Sequence, residues 1–446
     1  MADESGYAVR EHHAEPFDLP PLATAAPVPA SLYPKGAAAT RLERWALGGI
    51  LNLLGHPPFA IALWNGEEIR ALRTVARSVL TIRSRAALYR LCLNPHVFLG
   101  ELYARGDIDV RGDLGVFLQD AFRAYETALV RRPYLVRLWR ERRPRRGSQE
   151  ASRAHIRHHY DLGDGFYRLW LDHAAMQYTC GYYPRPGMSL EAAQIAKMHH
   201  ICRKLRLRPG EAVVEAGCGW GGLALFMART YGVTVTAYNL SKGQIEYARK
   251  NAADQGLTER VMFIEDDYRN IRGHYDAFVS VGMLEHVGAA HYRAFGSVID
   301  RCLKDHGRGL IHCIGRNKAY RVNSWVEKRI FPGTYAPTLR EIMEVFEPHA
   351  LSVLDVENLR LHYVRTLGDW LARFEHHAER VGSEHGEEFV RAWRLYLCGS
   401  IASFTTGWLQ VFQVAFSRPG LNDLPASRAY LYATAHPAPT LGYNKI

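Results

Sequence analysis

The spacing of apolar and polar residues divides the first part of the chain into distinct segments. Residues 1–38 are rich in Pro and Ala and show no apolar period, which predicts a disordered tail. From Arg41, the stretch RLERWALGGILNLLG predicts an apolar helix. From Phe59, the stretch FAIALWNGEEIRALR predicts a β-hairpin that turns at Asn65-Gly66, because Asn-Gly favours the tight turns of two-residue hairpins.

Further local signals complete this N-terminal unit. A helix is expected near 96–103, followed by a short strand between the turn dipeptides Gly106-Asp107 and Gly112-Asp113 and then by another helix. Together these elements predict a small α+β domain over residues 39–140. The stretch RERRPRRGSQEAS predicts a basic linker at 141–154.

Beyond this linker, apolar strands alternate with helices. Strands are predicted at AVVEAG, VTVTAYNL, VMFIEDD, DAFVSVGM and GLIHCIG. Helices are predicted at GGLALFMART and at SKGQIEYARKNAADQG, the latter with Ser241 as N-cap. The strands have few alternating polar positions, which is typical of a parallel sheet covered on both faces. We therefore predict a doubly wound α/β domain over residues 155–446.

Composition fits two domains and limits the other possibilities. The chain has 446 residues, of which 48% are hydrophobic, enough for two cores. The opening residues MADESGYAVREHH contain no apolar run, so no secretory signal is expected, and the longest uncharged apolar stretch, 46–54, is far shorter than the ~20 residues of a spanning helix. The seven cysteines are scattered, which predicts reduced cytoplasmic thiols. No metal is expected, because the His-His pairs at 158/159, 199/200 and 376/377 have no supporting ligands.

The formal net charge of +11 favours an anionic partner. Its densest part is an arginine run over 137–146, which is either a solvated linker face or a site of attraction to an acidic membrane. Neither a stacked-aromatic RNA signature nor zinc-finger spacing accompanies it. As a functional interpretation of this charge, peripheral attachment to an acidic membrane surface, aided by the apolar 45–54 helix, is favoured over a nucleic-acid partner.

A glycine-rich turn predicts a nucleotide-type site. The sequence GCGWGG over 217–222 lies between a strand and a helix, where glycines let the backbone approach a ligand closely. The glycines satisfy the dinucleotide fingerprint, but the acid that would bind a dinucleotide ribose is missing at Asn239-Leu240-Ser241. Asp267 and Tyr268, after the third strand, suit an adenine amino group and ring. Because segment 280–287 ends the fourth strand, all these groups should meet in one crevice.

Motifs over residues 158–420 resemble the cyclopropane fatty-acid synthase family, which includes the mycolic-acid methyltransferases. The resemblance rests on HHYDLGDGFYRLWLD, MQYTCGYY, LEAAQIAKMHHICRKLRLRPGE, VVEAGCGWGG, SVGMLEHVG, LIHCIG, RIFPG and LQVFQVAFSR, in that order. It implies a Rossmann-like, doubly wound, seven-stranded class I methyltransferase domain with helical lid insertions. The segment 39–140 resembles the N-terminal lipid-interacting domain of the full-length bacterial synthases.

The resemblance also implies two sets of site residues. S-adenosylmethionine would contact Tyr178 and Thr179 with its methionine part, Gly217 and Gly219 beneath it, Asn239 and Gln244 at the ribose, and Asp267 and Tyr268 at adenine. A bicarbonate ion would be held by Cys180, Glu285, His312, Tyr363 and the backbone of Ile314. Taken singly, a cysteine or histidine in an apolar stretch is more often a core residue, and Glu285 could cap a helix. Their joint occurrence in family order favours the catalytic interpretation.

The activity that the resemblance implies is transfer of a methylene unit to the cis double bond of an unsaturated phospholipid. Methyl attack would leave a carbocation on the acyl chain, and bicarbonate would remove a proton so that a cyclopropane ring closes. Aromatic side chains around Tyr178, Tyr182, Tyr183 and 404–416 are candidates to line a dry tunnel. A methyltransferase that adds a branch without closing a ring is an alternative, as is a non-catalytic lipid-binding or transfer protein. The sequence does not decide whether the chain forms a homodimer.

Overall fold

The computed structural model describes residues 38–71, 75–131, 162–319 and 323–432. Nearly all of the predicted tail, the predicted linker at 141–154, the arginine run and His158/His159 lie outside these residues. Among the helices of the described ranges, none combines the length and the apolar character that crossing a bilayer requires.

The N-terminal part is a four-stranded sheet with helices, which agrees with the predicted α+β character. Its elements are α1 (Arg41–Leu53), β1 (Phe59–Ala62), β2 (Glu68–Arg70), β3 (Ser78–Ile82), α2 (Arg85–Leu93), α3 (Pro95–Arg105), β4 (Ile108–Arg111) and α4 (Leu114–Arg131). The strand order is β2-β1-β3-β4, with β1 and β3 parallel and the other pairs antiparallel. The hairpin at Asn65-Gly66 and the strand between the two Gly-Asp turns are confirmed, whereas β3 and α2 were not predicted.

The second part is a seven-stranded sheet with helices on both sides. Its elements are α5 (Asp164–Arg168), α6 (Leu190–Lys204), β5 (Ala212–Ala216), α7 (Gly222–Tyr231), β6 (Thr234–Asn239), α8 (Lys242–Asp254), β7 (Val261–Glu265), β8 (Tyr275–Val281), α9 (Leu284–Val287), α10 (Tyr292–Cys302), β9 (Leu303–Gly315), α11 (Ser324–Arg329), α12 (Leu339–Met343), β10 (Ser352–Asn358), α13 (Arg360–His376), α14 (Ala378–His385), α15 (Glu387–Thr405) and β11 (Gln410–Ser417). Short 3₁₀ turns lie at 268–270, 289–291, 347–349 and 428–431.

The strand order β10-β11-β9-β8-β5-β6-β7 confirms the doubly wound, seven-stranded fold. The five strands β5 to β9 are parallel, as their apolar runs predicted. The other two strands lie at one side of the sheet, where β11 runs antiparallel to both β9 and β10. Helices α11 to α15 lie in the connections among β9, β10 and β11, in the place of the expected helical insertions.

The N-terminal sheet shares a hydrophobic core with helices of the second part, whereas the strands β5 to β9 carry two further core clusters of their own. A single cluster of buried side chains includes Ile61 and Leu80 of the small sheet, Trp393 and Ile401 of α15, and Cys180. Charged groups tie the same parts together, since the buried carboxylate of Glu101 on α3 accepts hydrogen bonds from the guanidinium of Arg329 on α11. The division into domains at 140 and 155 therefore stays a prediction, because the core of the N-terminal part is shared with the second part.

Candidate active site

The carboxyl ends of the central strands meet at one edge of the large sheet. Ala216 at the end of β5 is paired with Tyr238 on β6, and Asn239 is paired with Glu265 at the end of β7. On the other side, Val281 at the end of β8 is paired with His312 on β9. The open α/β architecture thus gathers the predicted nucleotide-site and catalytic residues along one crevice.

The glycine loop leaves the end of β5 as an open cradle. Gly217 has φ +85° and Gly219 has φ +53°, in the left-handed region that favours glycine. A Cβ atom at Gly219 would meet no protein atom within 4 Å, whereas one at Gly222 would lie 2.1 Å from the carbonyl oxygen of Ala175. Gly222 therefore serves close packing at the start of α7, and Gly219 leaves space beside the strand ends for a ligand.

Polar side chains border this cradle at the end of β6. The amide nitrogen of Asn239 donates to the carbonyl oxygen of Gly219, at 3.2 Å, and to Oε1 of Gln244, at 2.8 Å. Ser241 accepts a hydrogen bond from the backbone of Gln244, which confirms it as the N-cap of α8. Asn239 and Gln244, the predicted ribose contacts, therefore form one hydrogen-bonded unit with the glycine loop.

Asp267 and Tyr268 follow β7, where the adenine contacts were predicted. The buried carboxylate of Asp267 accepts hydrogen bonds from the backbone and the guanidinium of Arg269, the latter at 3.0 Å. The same guanidinium lies 4.9 Å from the ring centre of Tyr268. Burial raises the pKa of Tyr268 to about 12, so its hydroxyl stays protonated. An adenine amino group would share the Asp267 carboxylate with Arg269.

A buried lysine, which sequence reasoning missed, lies beneath the predicted methionine contacts. Nζ of Lys197 on α6 donates to Oγ1 of Thr179 at 2.8 Å and also to Oε1 of Gln177. Burial lowers the pKa of Lys197 to about 8 and raises the pKa of Glu215, at the end of β5, to about 8. The signal in the sequence is that this lysine lies on the face of α6 that packs against the rest of the protein.

The five residues predicted to hold an anion are brought to one cavity. Cys180, Glu285, His312, Ile314 and Tyr363 all line it, together with Tyr178 and Thr179. They come from separate elements: Glu285 from α9, His312 and Ile314 from β9, and Tyr363 from α13.

Glu285 is the carboxylate of this group. Its Oε1 accepts a hydrogen bond from the backbone nitrogen of Ile314 at 3.2 Å, so the donor predicted for an anion is shared with Glu285 in this structure. Its Oε2 is buried and has no hydrogen-bond partner among the described residues. Burial raises the pKa of Glu285 to about 7, which places its proton exchange near neutral pH.

Cys180 and His312 are both neutral in this environment. The Cys180 thiol lies 3.2 Å from the carbonyl oxygen of Gly181 and 3.7 Å from that of Leu359, and its burial raises the pKa of the thiol far above the ordinary range. Burial, with the charges of Lys197 and Lys204, lowers the pKa of His312 to about 3. A protonated thiol and a neutral imidazole can donate hydrogen bonds to an anion, and neither carries a charge.

The cavity extends from these groups into the N-terminal part of the chain. Its volume is about 1710 Å³, above the ~300–1,000 Å³ of ordinary small-molecule pockets. Its lining is mainly apolar and includes Leu47 of α1, Leu80 of β3, Phe117 of α4 and Phe404 of α15. A long apolar ligand could therefore reach from the N-terminal sheet to the catalytic residues.

Aromatic rings surround the catalytic end of the cavity. The ring of Tyr178 lies 5.1 Å from Trp170 and 5.3 Å from Trp370, and its hydroxyl is 2.9 Å from that of Tyr396. Of the candidate lining aromatics, Tyr178, Phe404 and Trp408 line the cavity. Other candidates pack elsewhere: Tyr182 stacks on His200 at 4.3 Å, and Tyr183 donates to Asp369 at 2.7 Å. Sequence reasoning missed Phe331, Tyr335 and Tyr396, which also line it.

The two described His-His pairs have partners other than a metal. Nδ1 of His199 is 2.9 Å from the hydroxyl of Tyr231, and Nε2 of His200 is 2.6 Å from Oε2 of Glu357. His376 and His377 contact each other edge to face at 4.8 Å. In the part of the chain that the structure describes, no three His, Cys, Asp or Glu side chains converge as metal ligands would.

Comparison with known proteins gives consistent matches. The family described as mycolic acid cyclopropane synthetase matches residues 147–414. A probable fatty acid methyltransferase of Pseudomonas putida is 33% identical over 390 residues, which cover 84% of this chain and 97% of that protein. The cyclopropane-fatty-acyl-phospholipid synthase of Escherichia coli K12 is 38% identical over 283 residues, 63% of this chain and 72% of that protein.

A solved structure agrees with these relatives. The mycolic acid cyclopropane synthase CmaA1, complexed with SAH and CTAB, superposes with a TM-score of 0.57 at 29% identity. The superposition covers 59% of this chain and 98% of that one. The matched fold is therefore essentially the whole of the solved protein, and more than a third of this chain lies outside it.

Proposed function

Because the chain belongs to the mycolic acid cyclopropane synthetase family, we propose that it uses S-adenosylmethionine to convert the cis double bond of an unsaturated phospholipid acyl chain into a cyclopropane ring. One observation carries the proposal. Cys180, Glu285, His312 and Tyr363 line a single large apolar cavity that continues into the N-terminal part of the chain. Such a cavity suits a lipid chain better than a small polar substrate.

The crevice at the strand ends fits S-adenosylmethionine. The open space beside Gly219, the polar pair of Asn239 and Gln244, and the buried Asp267 offer the contacts that an adenosine group needs. Thr179 and Tyr178 connect this crevice to the apolar cavity, since both line it. S-adenosylmethionine supplies an electrophilic methyl group when bound, so these two residues would mark where the cofactor meets the acyl chain.

The anion subsite fits bicarbonate, the small base that the family resemblance implies. Glu285, whose buried Oε2 has no partner among the described residues, lines the cavity together with Cys180 and His312. Bicarbonate supplies a proton acceptor small enough to share a slot with lipid. Glu285 would hold and take up the proton, while Cys180 and His312 would orient the ion.

Exclusion of water is the main task of the surrounding residues. An isolated alkene is a weak nucleophile, and the positive charge left on the acyl chain after methyl attack would be quenched by water. The buried rings of Tyr178, Phe404 and Trp370 keep that end of the cavity apolar. Their faces can also stabilise a cation.

We assign lipid entry to the N-terminal helices. Leu42 and Trp45 on α1, and Tyr89 and Leu93 on α2, are exposed to solvent, while Leu47 of the same α1 lines the cavity. The exposed arginines flanking these side chains are Arg41, Arg44 and Arg90. This combination of exposed apolar and basic side chains suits the surface of an anionic bilayer. A peripheral membrane position on the cytoplasmic side follows from this assignment.

Incubating the full chain with methyl-labelled S-adenosylmethionine and vesicles of an unsaturated phospholipid tests the proposal. Mass spectrometry of the acyl methyl esters should show label and a gain of one methylene unit. The new product should also survive ozonolysis, because a cyclopropane has no double bond. Failure to label any acyl chain, together with no binding of S-adenosylmethionine in calorimetry, would instead support the non-catalytic lipid-binding alternative.

One observation favours a second candidate. The Pseudomonas putida relative, which matches 84% of this chain, is described as a probable fatty acid methyltransferase and not as a cyclopropane synthase. An enzyme that loses the proton elsewhere would leave a methyl or methylene branch. Its product would have the same mass as the cyclopropane if a double bond remains, but ozonolysis would cleave it.

A further inference from the structure

Gln413 on β11 contacts the catalytic end of the cavity from outside. It is paired with His312 across the antiparallel strands β11 and β9, so the two side chains project from the same face of the sheet. Nε2 of Gln413 lies 3.0 Å from Nδ1 of His312. Gln413 is fully buried and His312 nearly so. Of the two, His312 lines the cavity.

A neutral imidazole has one nitrogen that donates and one that accepts. Which nitrogen carries the proton is decided by the partner of the other nitrogen. Since Nδ1 is turned towards Gln413, Nε2 is the nitrogen left for the cavity. An anion in the cavity needs a hydrogen-bond donor at that position, and an unprotonated Nε2, with its lone pair, would repel the anion.

We propose that Gln413 is a positioning residue, whose amide N–H donates to Nδ1 of His312 and thereby keeps the proton of His312 on Nε2, directed at the anion subsite. The inference rests on the proposed function for the role of that subsite. The arrangement itself depends only on the strand pairing and on the contact between the two side chains.

The charged groups near His312 do not by themselves decide which of its two nitrogens carries the proton. Lys197, His200 and Lys204 from α6 and Glu357 from β10 all act on the imidazole electrostatically. Glu357 is paired with Gln413 on the other side of β11, but its Oε2 is taken by His200 and Lys204. Gln413 is thus the side chain in hydrogen-bond contact with Nδ1, and it fixes the direction of the imidazole.

Nitrogen NMR of the full chain, labelled with ¹⁵N-histidine, measures the tautomer directly and needs no substrate. His312 is assigned by its loss in His312→Gln. We expect the wild-type protein to show a protonated Nε2 and a bare Nδ1. Gln413→Leu should abolish this preference and lower turnover by about tenfold or more, with little change in the affinity for S-adenosylmethionine.

Gln413→Glu gives a second test if the leucine variant folds poorly. A carboxylate would accept a proton from Nδ1 and leave Nε2 bare until the ring becomes an imidazolium. The variant should therefore show a protonated Nδ1 in the same NMR experiment, and its turnover should be low at every pH, because Glu285 accepts a proton only as the pH rises through about 7. The wild-type protein should keep the proton on Nε2.

Gln410→Leu is the matched control, since Gln410 lies on the same strand, is buried, and accepts from Asn358 instead of contacting His312. It should leave the tautomer unchanged. A proton on Nδ1 in the wild-type protein, or an unaltered tautomer in Gln413→Leu, would overturn the inference. If the tautomer behaves as expected but no lipid product forms, the proposed function fails and the positioning role of Gln413 stands.

Discussion

Glu285 accepts a hydrogen bond from the backbone nitrogen of Ile314, with 3.2 Å between Oε1 and N, and this bond joins the helix after β8 to the carboxyl end of the active-site strand β9. The bond fixes one carboxylate oxygen and leaves Oε2 buried without a partner among the described residues. Because burial raises the pKa of Glu285 to about 7, the group can gain and lose a proton near neutral pH.

Replacing this carboxylate should separate catalysis from cofactor binding. We expect Glu285→Gln to lower turnover by about a hundredfold or more, because the amide cannot take up a proton. Affinity for S-adenosylmethionine should change little. Wild-type turnover should rise with pH through about 7, as Glu285 becomes the proton acceptor, and Glu285→Gln should lack this step. A fully active Glu285→Gln protein would exclude the proposed role.

The same substitution, which lowers turnover, should raise the stability of the folded protein at alkaline pH. The folded-state pKa of Glu285 lies above its ordinary value of 4.5, so its stabilising protonated form is complete below pH 4.5 and is lost as the pH rises through about 7. Glu285→Gln should therefore be more stable than the wild type at pH 8, by up to roughly 3 kcal/mol. The advantage should disappear near pH 4.5. Denaturant titrations at the two pH values measure it.

Cys180 should act through its neutral thiol. We expect Cys180→Ala to bind S-adenosylmethionine normally and to lose much of its turnover, because a donor to the anion is removed. Since burial raises the pKa of Cys180, iodoacetamide at pH 8 should modify the exposed Cys92 and spare Cys180. Peptide mass mapping measures both sites. Rapid alkylation of Cys180 would indicate a thiolate and argue against this role.

The exposed side chains of α1 provide a test of membrane contact. Trp45 is 77% exposed and Leu42 is 72% exposed, although both are strongly apolar. Trp45→Ser should weaken binding to anionic phospholipid vesicles by about tenfold or more, since burying a large apolar side chain contributes ~1.5–3 kcal/mol. Met262→Ser is the control, because Met262 is also exposed but lies on β7 at the edge of the other sheet.

Salt separates the two contributions to this binding. The electrostatic part should fall as ionic strength rises, whereas the part from Trp45 should persist. Sedimentation with vesicles at low and high salt measures both. Equal binding by Trp45→Ser and the wild type would place the membrane contact elsewhere.

Local patterns and motif order predicted most of the large sheet and of the site. The apolar runs predicted the five parallel strands, and the family match confirms the resemblance read from the motifs. The antiparallel strand β11 was missed as a strand, because LQVFQVAFS lacks the alternation of apolar and polar residues that marks a half-buried strand. Strand β3 was missed for a similar reason: SVLTI is short, and its pairing with β1 is decided by contacts between distant segments.

The contacts within the site depend on packing that no local pattern records. In the sequence, neither Lys197 nor Gln413 belongs to a local pattern that reveals its partner. Only the folded chain brings Lys197 to Thr179 and Gln413 to His312. The motifs therefore located the reacting groups, and the groups that orient them became visible once strand register and helix packing were known.

Close packing between the two parts of the chain gives a final test, at Gly100 on α3. A Cβ atom at this position would lie 2.3 Å from the indole of Trp325 on α11, a buried ring that also lines the cavity. Alanine favours an isolated helix by about 1 kcal/mol over glycine. We expect the overlap to outweigh that gain, because a buried ring cannot move aside, and Gly100→Ala to lose about 1–3 kcal/mol of unfolding free energy.

Gly48→Ala is the matched control. Gly48 also lies inside a helix, α1, but a Cβ there would meet no protein atom within 4 Å. This variant should be equal to or slightly more stable than the wild type, and its activity should be unchanged. Because Trp325 forms part of the cavity wall, Gly100→Ala should also lower turnover on lipid. If both variants were equally stabilised, α3 would not pack on α11 as described, and the continuity of the cavity between the two parts of the chain would lose its structural basis.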